Sequence, residues 1–119
     1  MDADGSQELL HGTLDVLVLK TLSWGPRHGY AIARWLEDAT GDALAIGEGS
    51  LYPALYRMER RGWIAASWGM SELGRRAKLY SLTDDGRQQL ERQTAQWAAF
   101  TRSVARVLLP GGAPGLVPG

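Results

Sequence analysis

The sequence predicts a mainly α-helical domain with one small β-hairpin and a long closing helix. Three observations carry that prediction. Apolar residues recur at helical spacing through the first half, alternate after Gly62, and return to helical spacing from Thr83 until Pro110.

The elements follow in order. Helix one runs from about Thr13 to Trp24, and Leu14, Leu17, Val18 and Leu22 make it apolar on most sides, as expected of a central core helix. "WGPRHGY" ends it: Gly25-Pro26 is a turn signal, and His28-Gly29 leads into helix two. Helix two spans about His28 to Thr40, carries Ile32, Trp35, Leu36 and Ala39 on one face, and stops near Gly41. "ALAIG" (43–47) is too short for a helix and reads as a brief strand. Helix three is "EGSLYPALYRMERRGW" (48–63), with Ser50 as cap, Pro53 in the first turn and Gly62 as terminator. Leu51, Leu55 and Met58 form its apolar stripe, so Tyr52, Tyr56, Arg57 and Arg60 face outward.

"GWIAASWGM" and "AKLYSL" are extended runs joined by "SELGRR", a polar loop around Gly74, and together they read as a hairpin. Trp63 and Trp68 are assigned to packing within it. Thr83 caps the last helix, and Asp84 and Asp85 lie in its first turn, where the helix dipole favours anions. The resulting division is a frayed start (1–8), a helical and hairpin domain (9–82), a closing helix (83–109) and a Pro- and Gly-rich tail (110–119) expected to be disordered.

A chain of 119 residues, 45% apolar, can bury one core. The absence of cysteine excludes disulfides, thiolate zinc sites and cysteine nucleophiles. The acidic N-terminus does not resemble a signal peptide and no apolar run is long enough to span a bilayer, so the expected compartment is the cytoplasm, with no membrane partner. Formal net charge is zero, but it is unevenly placed. Residues 1–50 hold 3 Lys and Arg against 8 Asp and Glu, residues 51–82 hold 6 against 2, and the rest 4 against 3. A local basic field of this kind can steer a polyanion.

Three helices followed by a two-stranded hairpin is the order of a winged helix-turn-helix, in which the third helix enters the DNA major groove and the hairpin loop, the wing, meets a neighbouring groove or the phosphates. Winged helices that bind only protein share this order. A protein-interaction module is therefore the alternative, and the basic outer face of helix three together with the wing discriminates against it.

Specific residues go further. "LLHGTLDVLVLKTLSWGPRHGYAIARWLE" resembles the opening of the PadR family of bacterial transcriptional regulators, "GSLYPALYRMERRGWI" is similar to its recognition helix, and "RRAKLYSLTDDGRQQL" to its wing exit and final helix. The resemblance covers roughly residues 9–108, and the single closing helix looks like the family's compact subgroup. It implies a homodimer that binds palindromic operator DNA, usually as a repressor, often released by a small molecule. On matching positions it implies base contacts from Ser50, Tyr52, Pro53 and Arg57, a phosphate contact from Tyr30, and wing contacts from Arg75, Arg76 and Lys78. Tyr56 and Arg60 join the DNA-binding set as neighbours on the same outward face.

Each residue also has a plainer reading. Tyr52 and Tyr56 could stack on one another or close the core, Tyr30 could be a core ring with a surface hydroxyl, and Arg75-Arg76 could be an ordinary polar turn. Catalysis finds no support: His11 and His28 lack metal-site spacing, there is no G-x-S-x-G or P-loop, and Asp84-Asp85 are explained by capping. The reading requires no cofactor and no metal.

In the last helix Leu90, Trp97 and Val104 recur at seven, with Phe100, Val107 and Leu108 beside them. This seam is longer than a small core covers, so part of it is assigned to a second copy of the chain. Two Trp97 rings facing across a twofold axis would form a flat apolar slot for a small aromatic effector; the plainer reading is that Trp97 only fills the dimer core.

Overall fold

A computed structural model describes residues 13–70 and 73–111. The elements are α1 (Leu14–Leu22), β1 (Arg27–His28), α2 (Gly29–Ala39), α3 (Glu48–Arg60), β2 (Ile64–Met70), β3 (Arg76–Leu82) and α4 (Asp84–Leu108). The frayed start expected for residues 1–8 and most of the expected tail lie outside the described residues.

α1 is the central helix, with Leu14, Val18, Leu19, Thr21 and Leu22 buried. It is shorter than the expected 13–24, because Thr13 and Ser23 are its caps. Ile32 and Leu36 of α2 and Leu51, Ala54, Leu55 and Met58 of α3 close around it, with Ile64 and Tyr80 from the sheet. Ala39, expected on the buried face of α2, is exposed.

The sheet has three strands in the order β1-β3-β2, all antiparallel. The β2–β3 hairpin is the one expected, running from Ile64↔Leu82 to Met70↔Arg76. The third strand is not the expected one. Residues 43–47 form a loop, in which Ile46 is buried and Leu44 packs on the core. The edge beside β3 is taken instead by Arg27 and His28, opposite Tyr80 and Leu79.

α3 also starts differently. Its N-cap is Gly47, extended at φ −80° and ψ 157°, and the Gly47 carbonyl accepts from Ser50 N (3.1 Å) and Leu51 N (2.9 Å). Ser50 is thus inside the first turn and Pro53 inside the second, where its ring removes the hydrogen bond otherwise made to the Gly49 carbonyl. Gly49 is exposed, so solvent can serve that carbonyl. The end of α3 is as expected. Gly62 adopts φ +79°, Trp63 N donates to Met58 O (3.0 Å) and Gly62 N to Glu59 O (3.0 Å), the paired bonds of a Schellman cap.

Thr83 caps α4 as expected, accepting from Gly86 N at 3.0 Å, while its hydroxyl also reaches Gly62 O (2.6 Å) and Trp63 O (2.9 Å). The helix is therefore pinned to the start of the wing. It runs for 25 residues, roughly 37 Å, and Leu109 is its C-cap just before Pro110.

Candidate nucleic-acid interface

Side chains on α3 follow from 100° per residue. With Leu51, Ala54, Leu55 and Met58 buried, the opposite face is centred on Tyr56 and Arg60, with Pro53 beside them. Tyr52 and Glu59 flank it on the side of α2 and the wing, and Arg57 flanks it on the side of α1. Arg60 Nη1 donates to the Tyr56 hydroxyl at 3.1 Å, and its guanidinium lies 5.7 Å from that ring's centre. Arg57, Arg60 and Arg61 thus gather around one exposed phenol.

Arg57 is not a free outward cation. Its Nη2 pairs with Asp15 Oδ1 of α1 at 2.5 Å, while its side chain stays 45% exposed. Ser50 is half-buried. Of the base-contact set implied by the resemblance, Ser50, Tyr52 and Arg57 therefore lie around the rim of the exposed face, and Pro53 lies near its centre with Tyr56 and Arg60.

Between α2, α3 and the wing lies a cleft of about 420 Å³ lined by Tyr30, Tyr52, Tyr56, Glu59, Trp68 and Lys78, among others. Tyr30 stands exposed on the first turn of α2, and Tyr52 packs over Gly29. His28 Nδ1 meets the Lys78 carbonyl at 2.9 Å, which fastens the start of α2 to the wing.

On the wing, Trp68 and Lys78 are ladder partners. Trp68, assigned to packing from the sequence, is 59% exposed and carries the Arg76 guanidinium 4.9 Å from its centroid. Trp63, by contrast, packs on the core under Arg61. Arg75 is exposed immediately before β3. Lys78 Nζ lies 3.7 Å from Glu59 Oε1 and 6.0 Å from the Tyr80 ring centre.

Burial, then the negative charge of Glu59 and the neighbouring Tyr52, raises the pKa of the Tyr80 phenol above its ordinary value. This surface presents guanidinium, ammonium and phenol donors on aromatic platforms, the chemistry of phosphate and base-edge contacts. His28, Gly29 and Glu59 line the cleft and are not among the residues expected from the sequence. His28 and Gly29 stand in the His-Gly-Tyr motif, which was the available signal; Glu59 had none. Among the described residues no group of three or more His, Asp or Glu could hold a metal ion, and no helix is long and apolar enough to cross a membrane.

A three-helix core with a recognition helix flanked by a basic wing defines a winged helix-turn-helix. The transcriptional regulator PadR-like family matches residues 18–92, and the chain belongs to it. A PadR family transcriptional regulator from Eggerthella lenta is 32% identical, with a TM-score of 0.77 over 92% of this chain and 93% of that one. A transcriptional regulator from Clostridium thermocellum is 25% identical, with a TM-score of 0.78 over 85% of this chain and 98% of that one. A 37.1 kDa protein encoded in a Streptomyces fradiae transposon is 38% identical over 95 residues, 80% of this chain and 26% of that protein. Membership assigns the chain to DNA-binding transcription regulation and not to enzymes.

Proposed function

We propose that this protein is a cytoplasmic, homodimeric repressor that occupies palindromic operator DNA and is released by a small aromatic effector. The observation that carries the reading is the continuity of one exposed surface, from Tyr56 and Arg60 across Tyr52 and Tyr30 to Arg76 and Lys78 of the wing. Residues 9–82 serve as the DNA-binding unit, with α3 in the major groove and Arg75, Arg76 and Lys78 toward phosphates. Pro53 contributes beside Tyr56 and Arg60, and Ser50 and Arg57 contribute from the rim.

The closing helix, within residues 83–109, serves dimerisation. Leu90 packs on the core, whereas Trp97, Phe100, Val107 and Leu108 are exposed in the single chain and await a partner, with Val104 half-buried among them. Trp97 also lines an apolar groove between α1 and α4 with Val16, Leu17 and Leu90, a volume of about 740 Å³ suited to a planar apolar ligand. Binding there would change the angle between two reading helices and spoil their simultaneous docking.

The test is fluorescence anisotropy with a duplex selected from a randomised pool by the wild-type protein. Binding should weaken steeply with salt, and replacing Arg75 and Arg76 by alanine should reduce the slope of log K against log salt by roughly 2. Absence of salt-dependent binding to any duplex would favour the protein-interaction module instead.

A further inference from the structure

We infer that Glu59 is a specificity-determining residue of the DNA interface, which acts by withholding Lys78 from phosphates until the complex is properly seated. The inference rests on the DNA-binding reading above. Among the described residues of 51–82, Glu59 is the only carboxylate, set in the most basic stretch of the chain. It lines the cleft between α3 and the wing beside Tyr52, Tyr56 and Trp68, on the surface assigned to a polyanion. A negative charge there opposes phosphate and does not by itself strengthen DNA binding.

Its partner explains it. Lys78 Nζ is 3.7 Å from Glu59 Oε1, and both side chains are partly exposed, at 42% and 35%. Meanwhile the Lys78 backbone is fixed, since its carbonyl meets His28 Nδ1 at 2.9 Å and its strand pairs on both sides. Only the side chain is left to choose between the carboxylate of α3 and an incoming phosphate.

A partly solvated pair of this kind is weak. It yields to a phosphate held in place by the rest of a registered interface, but it competes with one met in passing. Random DNA therefore encounters one cation fewer than a selected site does. Glu59 costs some affinity on every duplex and costs most where affinity is unwanted.

The test compares wild type, Glu59→Gln, Lys78→Gln and the double variant on a random-sequence duplex and on the duplex selected by wild type. Glu59→Gln keeps the shape and removes the charge. On random DNA it should bind severalfold tighter, with a salt slope steeper by about 1, so that its advantage over wild type shrinks about fourfold between roughly 50 and 200 mM salt. On the selected duplex the gain should be smaller, so the ratio of selected to random affinity falls. In the Lys78→Gln background the Glu59 substitution should have no effect on that ratio or on the slope. A purely supporting role would change thermal stability and leave the salt slope alone, and that result overturns the inference. So does a Glu59 effect that persists without Lys78, which would mean simple repulsion of DNA by the carboxylate. Wild type that binds no duplex removes the DNA-binding reading itself, whereas wild type that binds while Glu59→Gln matches it removes only the role of Glu59.

Discussion

Gly29 and Tyr52 are in contact so close that a side chain on Gly29 cannot coexist with the present ring: a Cβ there would lie 2.8 Å from both Cε1 and the hydroxyl oxygen of Tyr52. The glycine of the His-Gly-Tyr motif is thus explained by its neighbour on α3. It lets the recognition helix lay a phenol against the first turn of α2.

Gly29→Ala should therefore rotate Tyr52 outward without harming the fold, because the clashing atoms are the far end of a side chain that is 42% exposed. Unfolding stability should hold steady, while affinity for a selected duplex drops by roughly 1–3 kcal/mol, as for Tyr52→Ala, if the phenol contacts a base edge. Urea melts and DNA titrations of both variants check this. Unchanged affinity in both would take Tyr52 off the reading face.

Gly86→Ala has the opposite prospect. A Cβ on Gly86 would lie 2.0 Å from the Trp63 carbonyl oxygen and 2.8 Å from Leu82 Cδ1, and the first of these is backbone that cannot swing away. The same carbonyl accepts from Thr83 N, and the Thr83 hydroxyl reaches both it and the Gly62 carbonyl, so the entry of α4 is held closely on the wing. The substitution should cost about 3 kcal/mol, overriding the propensity gain, and lower the urea midpoint well below that of Thr83→Ala, which loses a cap worth about 1 kcal/mol. A mild Gly86→Ala phenotype would mean that α4 can lift off the wing.

Tyr80 gives an alkaline signature. Its pKa is raised in the folded chain by burial and then by Glu59 and Tyr52. Near pH 10 the unfolded chain begins to lose the Tyr80 proton while the folded chain keeps it, so the unfolded state binds fewer protons and stability falls as pH rises. The contribution is complete below the ordinary phenol pKa and is lost as pH climbs through the raised folded value. The slope approaches at most about 1.4 kcal/mol per pH unit from this one group. Denaturation midpoints from about pH 9 to about pH 11 should decline in wild type and decline less in Tyr80→Phe. Equal slopes would place the alkaline loss elsewhere.

Much of this architecture was legible because local chemistry marks it. The Schellman cap at Gly62, the Thr83 cap and the change of period between them are written in adjacent residues. What escaped depends on distant partners. Arg27 and His28 are a strand only because Leu79 and Tyr80 lie beside them, and no two-residue run can announce that. The apolar residues of "ALAIG" have the composition of a strand, but the place beside β3 is taken by β1, and Ile46 fills the core from a loop. Gly47 begins α3 through its backbone alone, leaving Ser50, the better capping residue, inside the helix. At the site, helical spacing brought out Tyr52, Tyr56, Arg57 and Arg60 together but could not rank them. What separates the two arginines is Asp15, 42 residues earlier in the chain, which pairs with Arg57, whereas Arg60 pairs with Tyr56.

The last helix supplies a prediction that joins assembly to DNA binding. Phe100 and Val107 are 66% and 67% exposed in the single chain, so a charge at either should leave the folded unit intact. Phe100→Glu would place a carboxylate in the apolar seam of a dimer, where it has no water and no partner. The expected result is a monomer by analytical ultracentrifugation with an unchanged far-UV spectrum. Operator affinity should fall at least a hundredfold, because two half-sites about 34 Å apart are gripped together only by a joined pair. Trp97→Ala should weaken the dimer less, since the indole is half-turned toward the groove with Leu17 and Leu90. In that variant planar aromatic compounds should no longer release DNA, whereas in wild type they should quench the share of tryptophan emission that Trp97→Ala removes and lower operator affinity together. A Phe100→Glu protein that stays dimeric would move the interface off this seam. Quenching without any loss of DNA affinity would leave Trp97 in a binding groove with no part in regulation.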